Sequence, residues 1–136
     1  MKYLDANIFL RYLTRDDEAK AEACYRFFQR LKAGQETATT SETIIAEVVY
    51  VLAARGHYNL KPDEISARLR PVLAVRGLRL PHKRSCIRAL DLYATYPFLD
   101  FEDALVVAEM ERQRIDVVLS YDTDFDRIEH ISREEP

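Results

Sequence analysis

Short extended segments alternate with amphipathic helical stretches along this chain, and that alternation restricts it to an α/β fold around a short, mainly parallel sheet. Lys2 to Asp5 opens the series as a strand, and Ile8 to Leu13 follows as a short helix. Asp16 and Asp17 place acids at the start of a long helix. Its apolar positions Ala19, Ala23, Phe27, Phe28 and Leu31 keep helical spacing, and Gly34 stops it. Glu36 to Thr39 is a second strand candidate, and Ser41 to Arg55 the next helix, closed by Gly56. Lys61-Pro62-Asp63 starts another helix, in which Pro71 predicts a kink or a break, because proline lacks an N–H and crowds the preceding turn. Leu78 to Leu80 is a third strand candidate, followed by helices around Ser85 to Thr95 and from Asp100 through Arg114. Asp116 to Ser120 reads as the clearest buried strand, and a short strand near Glu129 to Ile131 closes the sheet. The expected architecture is one three-layer α/β/α domain over residues 1–136, with helices in the majority.

Composition narrows what such a domain does. With 48% hydrophobic and 32% charged residues it is ordinary for a globular protein, and 3 Gly and 5 Pro leave little room for linkers. No apolar run approaches the roughly 18 residues of a membrane span. The N-terminal apolar stretch is broken by Asp5, so no signal peptide is expected. Cys24 and Cys86 fall inside helical patterns and are expected as reduced, buried thiols of a cytoplasmic protein. The net charge of −3 argues against RNA binding by charge alone, which calls for a basic protein. To handle nucleic acid, this chain needs something that inverts the sign of an acidic site, and a divalent cation does that.

The carboxylates support such a site. In parallel α/β sheets, ligands gather at the carboxyl ends of the strands. Asp5 ends the first strand, and Asp122 lies just past Val117-Val118-Leu119-Ser120. A helix crossing between parallel strands starts at that same edge. Asp103 is in the first turn of its helix, and Glu47 lies about six residues into its own, roughly 9 Å along the axis. Glu47 is the only charge in residues 44–54, which predicts a helix buried all round and a carboxylate that needs a partner. Each acid also has an ordinary explanation. Asp5 can end a strand, Glu47 can pair with Arg55 or Lys2, and Asp103 can serve the helix dipole behind Asp100 as N-cap. Asp122 and Asp124 can shape the turn Asp-Thr-Asp. None of these explains why Asp5, Glu47, Asp103 and Asp122 should share one edge. Hard oxygen ligands of this kind suit Mg²⁺ or Mn²⁺.

These residues resemble the PIN-domain family, in particular VapC-like toxins of bacterial and archaeal toxin–antitoxin pairs. Tyr3-Leu4-Asp5-Ala6-Asn7-Ile8 resembles the family's opening motif, and Thr40-Ser41-Glu42-Thr43-Ile44-Ile45-Ala46-Glu47-Val48 its second. Asp100-Phe101-Glu102-Asp103-Ala104-Leu105 is similar to the third motif, and Ser120-Tyr121-Asp122-Thr123-Asp124-Phe125 to the fourth, with Ser120 where Thr is commoner. The resemblance implies that Asp5, Glu47, Asp103 and Asp122 hold Mg²⁺ or Mn²⁺, with Asp124 a rival for the fourth place. It implies that Asn7 and Ser120 support the first and fourth acids by hydrogen bonds. The implied reaction is hydrolysis of an RNA phosphodiester by water. The implied partners are an RNA substrate, a cognate antitoxin and a second copy of the chain, with no membrane.

Two other classes compete. A phosphoacceptor receiver domain would want adjacent acids after the first strand and a Lys after a late one, but here the strand ends Asp-Ala-Asn and no Lys follows Lys83. A catalytically silent binding module of the same fold, or a housekeeping RNA-processing nuclease, fits the motifs too. Arg11, Arg15, Arg55, Lys83 and Arg84 are candidates to guide RNA, though an ordinary solvated charge explains each. His57, His82 and His130 lack metal-ligand spacing.

Overall fold

Several helices of this chain begin where a short polar side chain takes over the unpaired N–H groups of a first turn. The computed structural model describes residues 1–136. Its order is β1 (Lys2–Tyr3), α1 (Ala6–Thr14), α2 (Glu18–Lys32), β2 (Ala38–Thr39), α3 (Glu42–Ala53) and α4 (Pro62–Leu73). There follow β3 (Leu78–Arg79), α5 (Lys83–Thr95), α6 (Phe101–Gln113), β4 (Val117–Leu119), a 3-10 helix (Thr123–Arg127) and β5 (Ser132–Glu134). Asp5 caps α1, accepting from the Ala6 N–H at 2.7 Å, and Asp17 caps α2 through the Lys20 N–H at 3.1 Å. Ser41 Oγ accepts from the Ile44 N–H at 3.3 Å to start α3, and Asp100 from the Asp103 N–H at 2.8 Å to start α6. At the other end of α2, Gly34 takes φ +73°. There the Gln35 N–H returns to the Arg30 carbonyl at 2.9 Å and the Gly34 N–H to Leu31 at 3.1 Å.

Every strand pair is parallel, as the alternation predicts. β1, β2 and β3 form one ladder, with Lys2 opposite Ala38 and Ala38 opposite Leu78, and β4 and β5 form a second. Parallel neighbours need a crossover, and α1–α2 and α3–α4 supply two of them. The result is a helix-rich three-layer α/β/α fold with a short parallel sheet. Its core is one cluster of 32 buried residues, in which Phe9, Phe28, Ile45, Leu52, Leu69 and Leu90 lose essentially all contact with water. No helix is long and apolar enough to cross a membrane.

The structure corrects the sequence reading at several points. The buried face of α2 is Ala21, Cys24, Phe28 and Leu31, while Ala19 and Ala23 are exposed and Phe27 half-buried. Alanines fit either environment, so the ring of Phe28 sets the face, packing at centroid distances of 5.8 Å from Phe9 and 4.5 Å from Tyr12. Pro71 does not break α4, which runs through it to Leu73. So close to the end, its missing N–H removes only one last-turn bond. Gly56 does not close α3. That helix ends at Ala53, and the positive φ that turns the chain back belongs to Asn59 at +51°.

β4 is not a buried strand: Val117 and Leu119 are 42% and 66% exposed, and only Val118 packs against the core. A run of apolar residues reports strand propensity, but one-sided packing still alternates its faces. The last strand lies at Ser132–Glu134 and not at 129–131, where Ile131 is instead buried in the core. Cys24 and Cys86 are free and buried, and burial with the nearby Glu42 charge pushes the Cys86 thiol up to about 12.

Candidate active site

The start of α6 is where charge concentrates. Asp100 is the N-cap, so Asp103 occupies the third helical position and donates its own N–H to the Asp100 carboxylate. A carboxylate there gains from the helix dipole and should ionise easily. The opposite holds. The Asp103 carboxyl is raised from 3.8 to about 6, first by burial and then by the charges of Asp100, Asp122, Asp124 and Glu102. Asp103 is half-buried, and that geometry outweighs the dipole.

Asp122 and Asp124 reach this place from the loop after β4. Asp122 caps the 3-10 helix, its Oδ1 accepting from the Asp124 N–H at 2.9 Å. Ser120 Oγ accepts from the Asp122 N–H at 3.0 Å, a bond to the backbone and not to the carboxylate. Arg133 donates to the Ser120 carbonyl at 3.0 Å and pairs with Asp126 and Glu135, which anchors the loop to β5. Asp122 is exposed and Asp124 half-buried.

The other two acids stand differently. Asp5 is exposed at the end of β1, and the hydrogen bond it receives comes from Ala6, not from Asn7, which is also exposed. Glu47 is exposed too, which corrects the expectation of a helix buried all round. α3 buries Ile45, Val48, Val49 and Leu52 and turns Thr43, Glu47 and Tyr50 outward. Apolar residues on an outer face hid that polarity from the sequence. The neighbouring charges that raise the Asp103 carboxyl most are Asp100, Asp122, Asp124 and Glu102. Asp122 and Asp124 thus act on Asp103 together with Glu102 and with Asp100, which the sequence reading took as the N-cap. The signal for these two was their place in the first turn of the same helix.

No group of three or more His, Cys, Asp or Glu side chains stands close enough to hold a metal ion as a ready cage. The donor chemistry nevertheless suits a hard divalent cation: Asp103, Asp122 and Asp124 offer carboxylate oxygens, and burial with the neighbouring acids disfavours the charge of Asp103. Of the basic candidates, Lys83 donates to the carbonyls of Val75 and Leu78, and burial lowers its ammonium. Arg15 pairs with Glu18 and Glu22. His130 pairs with Glu111.

A sequence model of the PIN domain matches residues 2–131 of this chain. No curated protein matches it.

Proposed function

The chain belongs to the PIN-domain family, and from that premise we propose that it is a Mg²⁺- or Mn²⁺-dependent ribonuclease, the toxin of a VapBC-type toxin–antitoxin pair. PIN domains are typically ribonucleases, and PIN-domain nucleases usually use divalent metal ions. The observation that carries the reading here is Asp103. Burial and four neighbouring acids raise its carboxyl to about 6, a penalty on the charged form that a cation would relieve.

Asp103 and Asp122 would hold the ion, with Asp124 the rival of Asp122, and Asp5 and Glu47 completing the set from β1 and α3. When bound, it supplies neutralisation of the scissile phosphodiester and of the oxygen that leaves it. The chain's own residues do the rest. Ser120 and Arg133 hold the loop that carries Asp122. Asp100 fixes the first turn of α6, so that Asp103 faces its fellow acids from a rigid element. As partners this reading takes RNA, a cognate antitoxin and a second copy of the chain, and it treats residues 1–136 as one cytoplasmic domain.

Purified protein is expected to cleave single-stranded RNA in Mg²⁺ or Mn²⁺, to stop in excess chelator, and to resume when either ion is restored. Undiminished cleavage in chelator overturns the metal mechanism. The toxin half has its own test: induced expression of the chain alone should arrest growth, and a protein encoded beside it should relieve the arrest by binding. Harmless expression of nuclease-active protein would instead point to housekeeping RNA processing.

A further inference from the structure

Apart from Met1, the most exposed large hydrophobic side chains are Tyr50 at 72% and Tyr121 at 71%. Rings left this open to water add little to the stability of the fold and stay free to take a partner. Tyr50 lies beside the acidic patch, and Tyr121 adjoins one of its acids along the chain. Tyr50 follows Glu47 by three residues on the outward face of α3. It lines a surface indentation of about 120 Å³ together with Ala46, Val49, Tyr93, Asp100 and Glu102. Asp100 and Glu102 are two of the charges that raise Asp103. Asp122 and Asp124 are two others, and Tyr121 immediately precedes Asp122. One open ring thus borders the patch from α3, and another stands next to Asp122 in the loop after β4.

We propose that Tyr50 and Tyr121 are stacking platforms for unpaired RNA bases, placed so that the chain between the two bases passes the acids around Asp103. The inference rests on the ribonuclease reading of those acids. The local charge selects a base over a phosphate. Asp100 and Glu102 beside Tyr50 repel phosphate oxygens but accept hydrogen bonds from the N–H edge of a base. With a net charge of −3, the protein has little sequence-independent attraction to a phosphate backbone. Stacking supplies the missing affinity, because every unpaired base presents a π face to a tyrosine ring. A paired base is already stacked in its helix and gains nothing there, so these rings select single-stranded segments at the two positions bordering the cut.

The test separates binding from cleavage. A short single-stranded 2′-O-methyl oligoribonucleotide containing 2-aminopurine, which a ribonuclease relying on water attack still meets as a bound strand, is titrated with protein in chelator. Stacking on a ring quenches its fluorescence. Wild type and Tyr50→Phe should quench it with equal affinity, since the ring and not the hydroxyl is needed. Tyr50→Ala and Tyr121→Ala should each bind about tenfold more weakly, within the range of a single stacked base. Their dependence on salt should match that of wild type, because no phosphate contact is lost. Both side chains are exposed, so the variants should melt with wild type, which circular dichroism checks.

Unchanged affinity in the alanine variants overturns the proposal, as does a loss that Tyr50→Phe shares. Self-association of wild type that disappears in the alanine variants, with oligonucleotide affinity unaltered, overturns it in favour of a surface between copies of the chain. Quenching that depends on both rings, in a protein that cleaves no RNA with either metal, upholds the stacking site and defeats the ribonuclease reading. Metal-dependent cleavage with ring-independent binding does the reverse.

Discussion

Asp103→Asn is expected to slow metal-dependent RNA cleavage by on the order of a hundredfold or more, while raising the melting temperature of the metal-free protein at pH 7. The two effects have one cause. The Asp103 carboxyl ionises near 3.8 in an unfolded chain and near 6 in the fold. A carboxyl raised by folding binds its proton more tightly in the native state, so its cost to stability is absent below about pH 4. That cost builds between about pH 4 and 6 and is complete at neutral pH. Allowing for solvent screening of a half-exposed group, it is on the order of 1 kcal/mol, or roughly 2–5 °C in melting temperature for a domain of this size. The amide removes the charge and keeps the shape. The mutant should therefore melt higher than wild type at pH 7 in chelator, the two should converge near about pH 4, and Mn²⁺ should stabilise the mutant less. Were Asp103 only a dipole-satisfying acid at the third position of α6, its loss would cost about 0.3–1 kcal/mol and leave cleavage intact. Melts and cleavage rates measured on the same two proteins decide between these outcomes, and a mutant that melts lower and cleaves normally removes Asp103 from the site.

The second large effect concerns a residue with no chemistry. Gly77→Ala should lower stability by about 3 kcal/mol, or roughly 10 °C in melting temperature. A Cβ at this position would stand 2.5 Å from the Glu36 carbonyl oxygen, 2.6 Å from that of Leu31 and 3.0 Å from the Leu31 Cα. All three are backbone atoms, so no side chain can swing aside. Nor can the strand move away cheaply. The Gly77 N–H donates to the Leu31 carbonyl at 3.0 Å, and the Ala38 N–H to the Gly77 carbonyl at 2.9 Å. Relieving the clash would strain both bonds, and with them the junction of α2, β2 and β3. Gly56→Ala is the control, since nothing lies within 4 Å of a Cβ there and its φ is not positive. It should melt within a few degrees of wild type. Urea denaturation of the two variants checks the difference, and equal midpoints would mean that the close approach at Gly77 is not maintained in solution.

The elements of this fold were largely legible because their causes are local. Asp17, Ser41 and Asp100 cap α2, α3 and α6 through N–H groups three residues ahead, a relation confined to one turn. Gly34 ends α2 for an equally local reason. The candidate acids were legible as residue types at the ends of strands and the starts of helices. Which of them act on one another was not. Asp103 feels Asp122 and Asp124 from a loop some twenty positions away along the chain, and this depends on how β4 and β5 are set against α6. The exposure of Glu47 was illegible for the opposite reason: its neighbours are apolar on both faces, and only the packing of α3 showed which face meets water.

The sequence by itself determined the alternation of strands and helices, the parallel sense of the strands, the helix starts and the inventory of carboxylates. These follow from propensity, capping and periodicity, whose range is a few residues. The tertiary structure alone decided that Val117 and Leu119 face outward, that no Cβ fits at Gly77, and that Tyr50 borders the acids of α6. It also decided that Asp103 is the acid most strongly disfavoured as a charge. Burial and long-range Coulomb interaction depend on which distant segments share a neighbourhood, and no window along the chain contains that information.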